Sequence, residues 1–316
     1  MVYLVTGSAG FIGYHVARAL IKEGSKVVGV DNLNDYYPKK LKIERLKLLE
    51  SKNFEFHEIS LDELEKLKLK KKIDLALNFA AQPGVRVSKE EELNYFTSNI
   101  NGFKYFLDFC SFKNIENIIY ASSSSVYGNA DDKKLSEKSI VTPASLYGLS
   151  KLFNENLSDE YSLKRNLKMV GLRFFTVYGP YGRPDMAYYK FFSKLKNSEE
   201  ITIYNDGEMF RDMTYIDDIT DGILKARNLI LDSKDVCFNK IFNLGSGNPV
   251  KTKKLLEIIE SRVGKKANIR NEVSFFESSM TNACLRKSKS ELNYMPKTSI
   301  NDGLNNFFDW FEESHE

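Results

Sequence analysis

Two residues that together can move a proton stand four positions apart near the middle of the chain. If Ser145 caps a helix, Tyr147 and Lys151 share one face of it, with the ammonium beside the phenol. A nearby cation favours the phenolate of a group whose ordinary pKa is about 10, which makes Tyr147 a candidate general base. Tyr36 and Lys40 have the same spacing in a predicted loop, so spacing alone does not identify the pair. Tyr147 is distinguished because it follows a predicted strand that ends in a serine run.

A glycine-rich turn at residues 7–13 (GSAGFIG) joins the first predicted strand to an apolar-periodic helix. Glycine permits a tight turn and close backbone approach, and the start of a helix offers unpaired N–H groups and a positive dipole end. This combination predicts a site for the pyrophosphate of a dinucleotide. The alternative is a strand-to-helix turn that binds no ligand.

An acidic residue, Asp31, ends the second predicted strand. A carboxylate at that position accepts hydrogen bonds from the adenosine ribose hydroxyls and repels a ribose 2′-phosphate. Neither Asn32 nor Leu33 supplies a cation for such a phosphate, so the sequence favours NAD over NADP. The alternative is that Asp31 is a turn residue in the cluster DNLND.

The elements that must position these residues alternate between short apolar strands and helices. Apolar strands separated by crossover helices predict an α/β fold with a doubly wound parallel sheet, which is Rossmann-like. The remaining chain predicts a smaller C-terminal substrate-binding lobe. We expect an NAD-binding domain of residues 1–175 plus about 214–245, and a substrate-binding lobe of 176–213 and 246–316. The predicted sheet strands are 2–6, 26–30, 54–59, 74–80, 117–122, 168–174 and a last one near 242–245.

Composition and charge exclude several classes of protein. A formal charge of +3, with 46 basic residues against 43 acidic ones, gives no reason to expect nucleic acid as a partner. The chain has no long apolar stretch and no signal-peptide pattern, so we expect a cytoplasmic protein without membrane contact. Three scattered cysteines predict neither a disulfide framework nor a metal site.

The motifs together resemble the extended short-chain dehydrogenases/reductases, along nearly the whole chain. The resemblance is carried by GSAGFIG, Asp31, the serine run before VYG at residues 126–128, and YGLSK at 147–151. Longer strings are similar to those of UDP-glucuronate 4-epimerases: DNLNDYY (31–37), AAQPGVR (80–86), LRFFTVYGPYGRPDMA (172–187) and IYNDGEMFRDMTYIDD (203–218).

The resemblance implies NAD-dependent epimerisation of a nucleotide sugar at C4, through a 4-keto intermediate. It implies that Ser123 hydrogen-bonds the sugar O4, that Tyr147 is the base, and that Lys151 binds the nicotinamide ribose. The expected cofactor residues are Gly7, Gly10, Phe11, Ile12, Gly13, Asp31, Asn32, Glu58, Ile59, Phe79, Ala80, Ala81, Asn99, Ser122 and Phe174. The expected substrate residues are Arg86, Ser124, Ser125, Thr176, Tyr178, Arg183, Tyr204, Arg211 and Glu277. Among them, the resemblance implies that Arg183 and Arg211 border the nucleotide diphosphate and that Tyr178 and Tyr204 lie beside uracil. Family members pair through two helices, so we also expect a homodimer, here through residues 94–112 and 147–161.

Several alternatives stay open at this stage. Arg86 is otherwise a surface arginine, Tyr204 a core aromatic, and Glu277 a surface acid. The family's Pro-Gly-Asp segment is replaced by FFE at residues 275–277, and TNAC stands at 281–284, so a GDP-sugar stays open beside the favoured UDP-sugar. Dehydratases and decarboxylases resemble this chain but carry an acid where Ser125 stands. A 4-dehydrogenase that releases its keto product shares all the residues named, and a non-catalytic NAD-binding subunit is the rival from another class.

Overall fold

Seven parallel strands form the centre of the protein, in a computed structural model that describes residues 1–84, 92–129, 133–273 and 278–315. Their spatial order is β3-β2-β1-β4-β5-β6-β10. The strands are β1 (Val2–Thr6), β2 (Lys26–Asp31), β3 (Phe54–Glu58), β4 (Leu75–Asn78), β5 (Asn117–Ser123), β6 (Lys168–Phe174) and β10 (Phe238–Leu244). The predicted doubly wound parallel sheet is therefore confirmed. The last strand begins earlier than expected because Phe238 pairs with Lys168 at the far end of β6.

Helices cover both faces of this sheet, and alternate residues of each strand face opposite cores. In β1, Tyr3 and Val5 belong to one buried cluster and Leu4 to the other, as the period of two in a strand requires. The first half contributes helices α1 (Phe11–Lys22), α2 (Lys39–Leu49), α3 (Gly102–Phe112) and α4 (Leu146–Arg165). Helix α6 (Ile216–Asp232) packs against α1.

The later chain builds smaller sheets and an aromatic core. Strand β9 (Phe210–Tyr215) pairs in parallel with β7 (Thr176–Tyr178) and antiparallel with β11 (Pro249–Lys251). Strand β8 (Ile201–Tyr204) pairs in parallel with β12 (Ile269–Glu272). The rings of Phe192, Phe307, Phe308 and Phe311 pack together between two helices of this region. The division into two lobes at the expected boundaries stays a prediction. The elements are β7 (Thr176–Tyr178), α5 (Ala187–Lys196), β8 (Ile201–Tyr204), β9 (Phe210–Tyr215), β11 (Pro249–Lys251), α7 (Thr252–Val263), β12 (Ile269–Glu272), α8 (Arg286–Leu292) and α9 (Ile300–His315).

A buried ion pair ties α4 to the ends of two sheet strands. The Glu155 carboxylate of α4 accepts hydrogen bonds from Arg173 Nε at 2.8 Å, Arg173 Nη2 at 2.7 Å and Ser122 Oγ. Ser122 and Arg173 face each other in the register of β5 and β6. Because all three side chains are buried, the charges compensate each other in a medium that screens them poorly.

The buried side chain of His15 joins α1 to the loop after β7. Its Nε2 lies 3.1 Å from Pro180 O, and a carbonyl only accepts, so Nε2 carries the proton of the neutral ring. Burial lowers the pKa of His15 to about 3. The neutral ring packs edge-on against Phe11 and Tyr14.

We predict that Glu155→Gln lowers the free energy of unfolding by about 3–5 kcal/mol, since it leaves Arg173 as an uncompensated buried cation. Urea unfolding of the purified variant measures this loss. The matched control is Glu160→Gln on the same helix, where an exposed pair with Lys164 is broken and the expected loss is under about 1 kcal/mol. Equal losses in the two variants would contradict the assignment.

We predict that His15 contributes to acid destabilisation. Between its ordinary pKa and the folded value of about 3, only the unfolded state binds the proton, so stability falls as the pH falls. At about pH 5 this contribution amounts to roughly 2 kcal/mol relative to neutral pH. His15→Gln keeps an N–H donor and does not titrate, so its unfolding free energy, measured in urea, should decline less steeply with acid. An unchanged slope in His15→Gln would contradict this assignment.

Candidate active site

A cavity of about 1600 Å³ opens at the carboxyl ends of the sheet strands, where parallel α/β sheets hold their ligands. It brings together most of the residues singled out from the sequence. Those that line it are Gly7, Gly10, Phe11, Ile12, Gly13, Asp31, Asn32, Ile59, Phe79, Ala80, Ala81, Ser122, Ser123, Ser124, Ser125, Tyr147, Lys151, Phe174, Thr176, Arg183, Tyr204 and Arg211.

The glycine turn is packed so closely that side chains are excluded at two positions. A Cβ on Gly13 would stand 2.0 Å from Gly7 O, and a Cβ on Gly7 would stand 2.6 Å from Ala80 N. Gly7 also has a φ of 71°, which glycine adopts without strain. The turn therefore presents the start of α1 to the cavity, as the motif predicts.

Asp31 is held by the backbone rather than left to solvent. Its carboxylate accepts hydrogen bonds from Ala9 N at 3.1 Å and Leu33 N at 2.9 Å. Burial raises the pKa of Asp31, and the nearby Lys42 ammonium opposes that shift. The bond to Leu33 is the turn contact weighed as the alternative, so Asp31 closes a turn and lines the cavity at once.

Lys42 is a cavity residue that sequence reasoning missed. Its ammonium donates hydrogen bonds to Asn34 O at 2.7 Å and Asn34 Oδ1 at 2.6 Å. Lys42 lies on the buried side of α2, next to Leu41. From the sequence, a cation was sought only in the loop after β2. The available signal was a lysine on the apolar face of a predicted helix.

The predicted proton-transfer pair is assembled on α4. Ser145 caps the helix by accepting a hydrogen bond from Gly148 N at 3.1 Å, as predicted. The Lys151 ammonium donates to Ala121 O at 3.0 Å and lies 5.9 Å from the centroid of the Tyr147 ring. Ser123, at the end of β5, lines the same cavity, and its hydroxyl opposes the rise of the Tyr147 pKa. A hydroxyl, a phenol and an ammonium therefore converge on one wall of the cavity.

Burial, and not the lysine, dominates the electrostatics of this pair. It raises the pKa of Tyr147, while the Arg183 guanidinium and the Ser123 hydroxyl act in the opposite direction. Burial also lowers the pKa of Lys151 to about 8. The expectation that the adjacent ammonium favours the phenolate is thus not met by the protein's own groups.

Arg183 lies nearer the reacting centre than the sequence reading expected. It donates through Nε to Asp185 Oδ1 at 2.9 Å and through Nη2 to Asp185 Oδ2, whose other donor is the Tyr36 hydroxyl at 3.2 Å. Its charge acts on the Tyr147 phenol. Sequence reasoning assigned it to the diphosphate, but its position also suits an anion on the sugar.

Three residues that were predicted to contact the cofactor or the substrate do not line the cavity. Tyr178 is 1% exposed and packs between the rings of Tyr188 and Tyr215, so it is a core residue and not a nucleotide contact. Asn99 is buried behind the wall, where it accepts from Gln82 N at 2.7 Å and donates to Gln82 O at 3.0 Å. Glu58 is exposed at the end of β3 and does not line the cavity.

The positions of Arg86 and Glu277 fall outside the described residues. Among the described residues, no helix combines the length and apolar character needed to cross a bilayer. The same residues contain no group of three or more His, Cys, Asp or Glu side chains placed to hold a metal ion.

The cavity fits a dinucleotide by a further observation. Gln82 lines it, and the Gln82 Nε2 is buried without a hydrogen-bond partner among the described residues. Buried polar atoms are rarely left unpaired, and an orphaned one at a cavity wall marks a position for a ligand acceptor.

The chain is similar to characterised proteins over its full length. Protein CapI of Staphylococcus aureus is 41% identical over 334 residues, covering all of both chains. UDP-glucuronate 4-epimerase of Thermodesulfobacterium geofontis is 39% identical, covering 99% of this chain and 97% of the relative. UDP-glucuronic acid 4-epimerase of Bacillus cereus, crystallised with UDP-glucuronic acid and NAD, superposes with a TM-score of 0.91 at 33% identity, covering all of both chains.

A family model points the same way. The model described as the NAD dependent epimerase/dehydratase family matches residues 3–245, which is most of the chain. With a Rossmann-like sheet, a glycine turn and a serine–tyrosine–lysine wall in one cavity, the chain belongs to the NAD dependent epimerase/dehydratase family.

Proposed function

We propose that this chain inverts C4 of a nucleotide sugar, with UDP-glucuronate to UDP-galacturonate as the reaction, in the synthesis of a polysaccharide. The observation that carries the proposal is the convergence of Ser123, Tyr147 and Lys151 beside the cationic Arg183 in one cavity. The similarity to UDP-glucuronate 4-epimerases supports the choice of sugar.

In this proposal the glycine turn and Asp31 hold NAD at the carboxyl edge of the sheet. Gly7, Gly10 and Gly13 present backbone N–H groups to the pyrophosphate, and Asp31 accepts from the adenosine ribose. Lys151 binds the nicotinamide ribose. NAD held there would supply the hydride acceptor for sugar C4 and the donor that returns the hydride to the opposite face.

The proton chemistry belongs to Tyr147 and Ser123. Tyr147 removes the proton of the C4 hydroxyl, and the Ser123 hydroxyl holds O4 in place. Because burial keeps the phenol neutral, the base forms only when a positive ring lies beside it. When the 4-keto sugar has turned over, Tyr147 gives the proton back, so the protein and the cofactor are regenerated.

Arg183 is the group that favours a sugar carrying a carboxylate. Asp185 occupies its Nε and Nη2, which leaves the Nη1 edge of the guanidinium fork for a second carboxylate. Thr176, Ser124 and Ser125 line the same region of the cavity and supply hydroxyl donors. Arg211 and Tyr204 line the nucleotide end, and Arg86 and Glu277 stay predicted substrate residues.

The absence of an acid in the serine run separates this reaction from water loss and decarboxylation. Ser123 Oγ donates to Ser125 Oγ at 3.1 Å, so a hydroxyl stands where those reactions need a carboxylate.

One experiment tests the proposal: the protein is incubated with a panel of UDP- and GDP-sugars that includes UDP-glucuronate, and proton NMR follows H4. Inversion of UDP-glucuronate without net NADH supports the proposal. Release of a keto sugar with equimolar NADH identifies a 4-dehydrogenase and overturns it.

We predict that Tyr147→Phe keeps the bound NAD but lowers kcat by about a thousandfold or more, because the phenol is the only proton acceptor assigned to C4 oxidation. Absorbance of the released cofactor measures NAD content, and NMR measures turnover. Tyr105→Phe, at another cavity tyrosine, is the control and should retain activity. Wild-type kcat in Tyr147→Phe would disprove the base assignment.

We also propose that two copies pair through α3, α4 and the helical turn before α3. Phe96, Tyr105, Phe112, Leu149 and Phe153 expose large apolar side chains on these helices. Two helices from each copy would bury them in a bundle of four. These residues lie within the expected segments 94–112 and 147–161.

We predict that the double variant Leu149→Glu, Phe153→Glu is monomeric in sedimentation velocity, because charges on this face cannot be buried in the bundle. The control is Val236→Glu, an exposed apolar residue between α6 and β10 that is 71% exposed, and it should remain a dimer. A monomeric wild-type protein at micromolar concentration would reject the proposed pairing.

A further inference from the structure

Helix α2 buries cations on the side that faces the protein. Its buried residues are Leu41, Lys42, Arg45 and Leu49, which share one helical face. A buried charge costs several kcal/mol unless it is well compensated, so two on one face call for a specific reason. The Arg45 side chain is 0% exposed and does not line the cavity, which excludes direct contact with a ligand.

On one side, Arg45 holds the glycine turn. Its Nη1 donates to Ala9 O at 2.8 Å and to the Tyr37 hydroxyl at 2.6 Å. The N–H of the same Ala9 donates to Asp31. The polar groups of Ala9 are therefore fixed from both directions by residues of the cofactor half.

On the other side, Arg45 holds the segment that leads into Arg183. Its Nη2 donates to Tyr181 O at 2.7 Å and Gly182 O at 3.3 Å, and its Nε donates to Tyr181 O at 3.2 Å. Tyr181 has a φ of 57°, a left-handed conformation that is strained for a residue with a Cβ. Arg45 thus stabilises a strained backbone immediately before the cavity arginine.

The acceptors explain why the residue is an arginine. The three carbonyls lie on two separate loops, the glycine turn and the segment 181–182, and the one hydroxyl belongs to Tyr37. No ion pair to Arg45 occurs within the described residues. A planar guanidinium reaches both loops at once, whereas the ammonium of a lysine is a single point of donation.

We propose that Arg45 is a positioning residue that fixes the segment before Arg183 against the glycine turn, so that the cofactor half and the substrate half of the cavity share one geometry. Arg45 acts through Ala9, Tyr181 and Gly182 and not on a ligand. Its substitution is expected to affect both halves together, in contrast to Asp31 or Arg183, each of which belongs to one half.

The test is amide hydrogen exchange in the NAD-loaded protein, because this readout does not depend on the identity of the sugar. In Arg45→Lys, amides of residues 8–11 and 182–186 should exchange at least about tenfold faster, while those of β5 and β6 stay within about twofold. The matched control is Lys47→Met, an exposed lysine on the same helix, which should leave both segments unchanged.

Kinetics give a second readout that rests on the proposed function. In Arg45→Lys the KM for UDP-glucuronate should rise about tenfold, with kcat lowered less than about threefold, because positioning of the substrate is lost and the proton-transfer wall is kept. If wild-type protein does not turn over UDP-glucuronate, the proposed function fails, and hydrogen exchange still decides the role of Arg45.

Three outcomes would overturn the role of Arg45. They are unchanged exchange in either segment, a uniform rise of exchange across the whole sheet, and global unfolding of both Arg45→Lys and the neutral variant Arg45→Gln. The last two would make Arg45 a determinant of core stability and not of cavity geometry.

Discussion

The buried pair between Glu155 and Arg173 is the interaction on which the arrangement of the site depends. Tyr147, Lys151 and Glu155 follow each other at intervals of four on α4, so they share one face of that helix. Glu155 anchors this face to the ends of β5 and β6 through Ser122 and Arg173. The anchor fixes the phenol and the ammonium relative to the serine run.

Burial sets the charge state of the reacting groups. It raises the pKa of Tyr147 and lowers that of Lys151, so both shifts favour the uncharged form. A cation bound beside the phenol would lower its pKa, because a cation stabilises a phenolate most strongly where water is excluded. In the proposed reaction, the phenolate of Tyr147 would therefore form when the oxidised nicotinamide is bound beside it.

The substrate half is held by polar contacts between loops. Arg183 is oriented by Asp185 and Tyr36, and the loop before it is fastened by His15 to α1 and by Arg45 to the glycine turn. Apart from the pair of Arg183 and Asp185, these contacts join segments more than a hundred residues apart in sequence. They explain how loops without regular structure hold a defined geometry around the cavity.

The sequence by itself determined the fold class, the glycine turn, the end of β2 at Asp31, the cap of α4 and the family. Each of these depends on local patterns: apolar periodicity, a glycine motif of seven residues, a serine before a helix, and a spacing of four. The bounds of strands β1 and β6 were also predicted to the residue for this reason.

Only the tertiary structure decided which side chains face the cavity in the later chain. Tyr178 and Tyr204 are both aromatic residues in strands, yet Tyr178 fills the core and Tyr204 lines the cavity. In the sequence, Lys42 and Arg45 resemble the exposed cations of an ordinary helix. The structure shows that both are buried on one face of α2. The physical reason is that burial and hydrogen bonding depend on neighbours supplied by distant segments, and a local pattern contains no information about those neighbours.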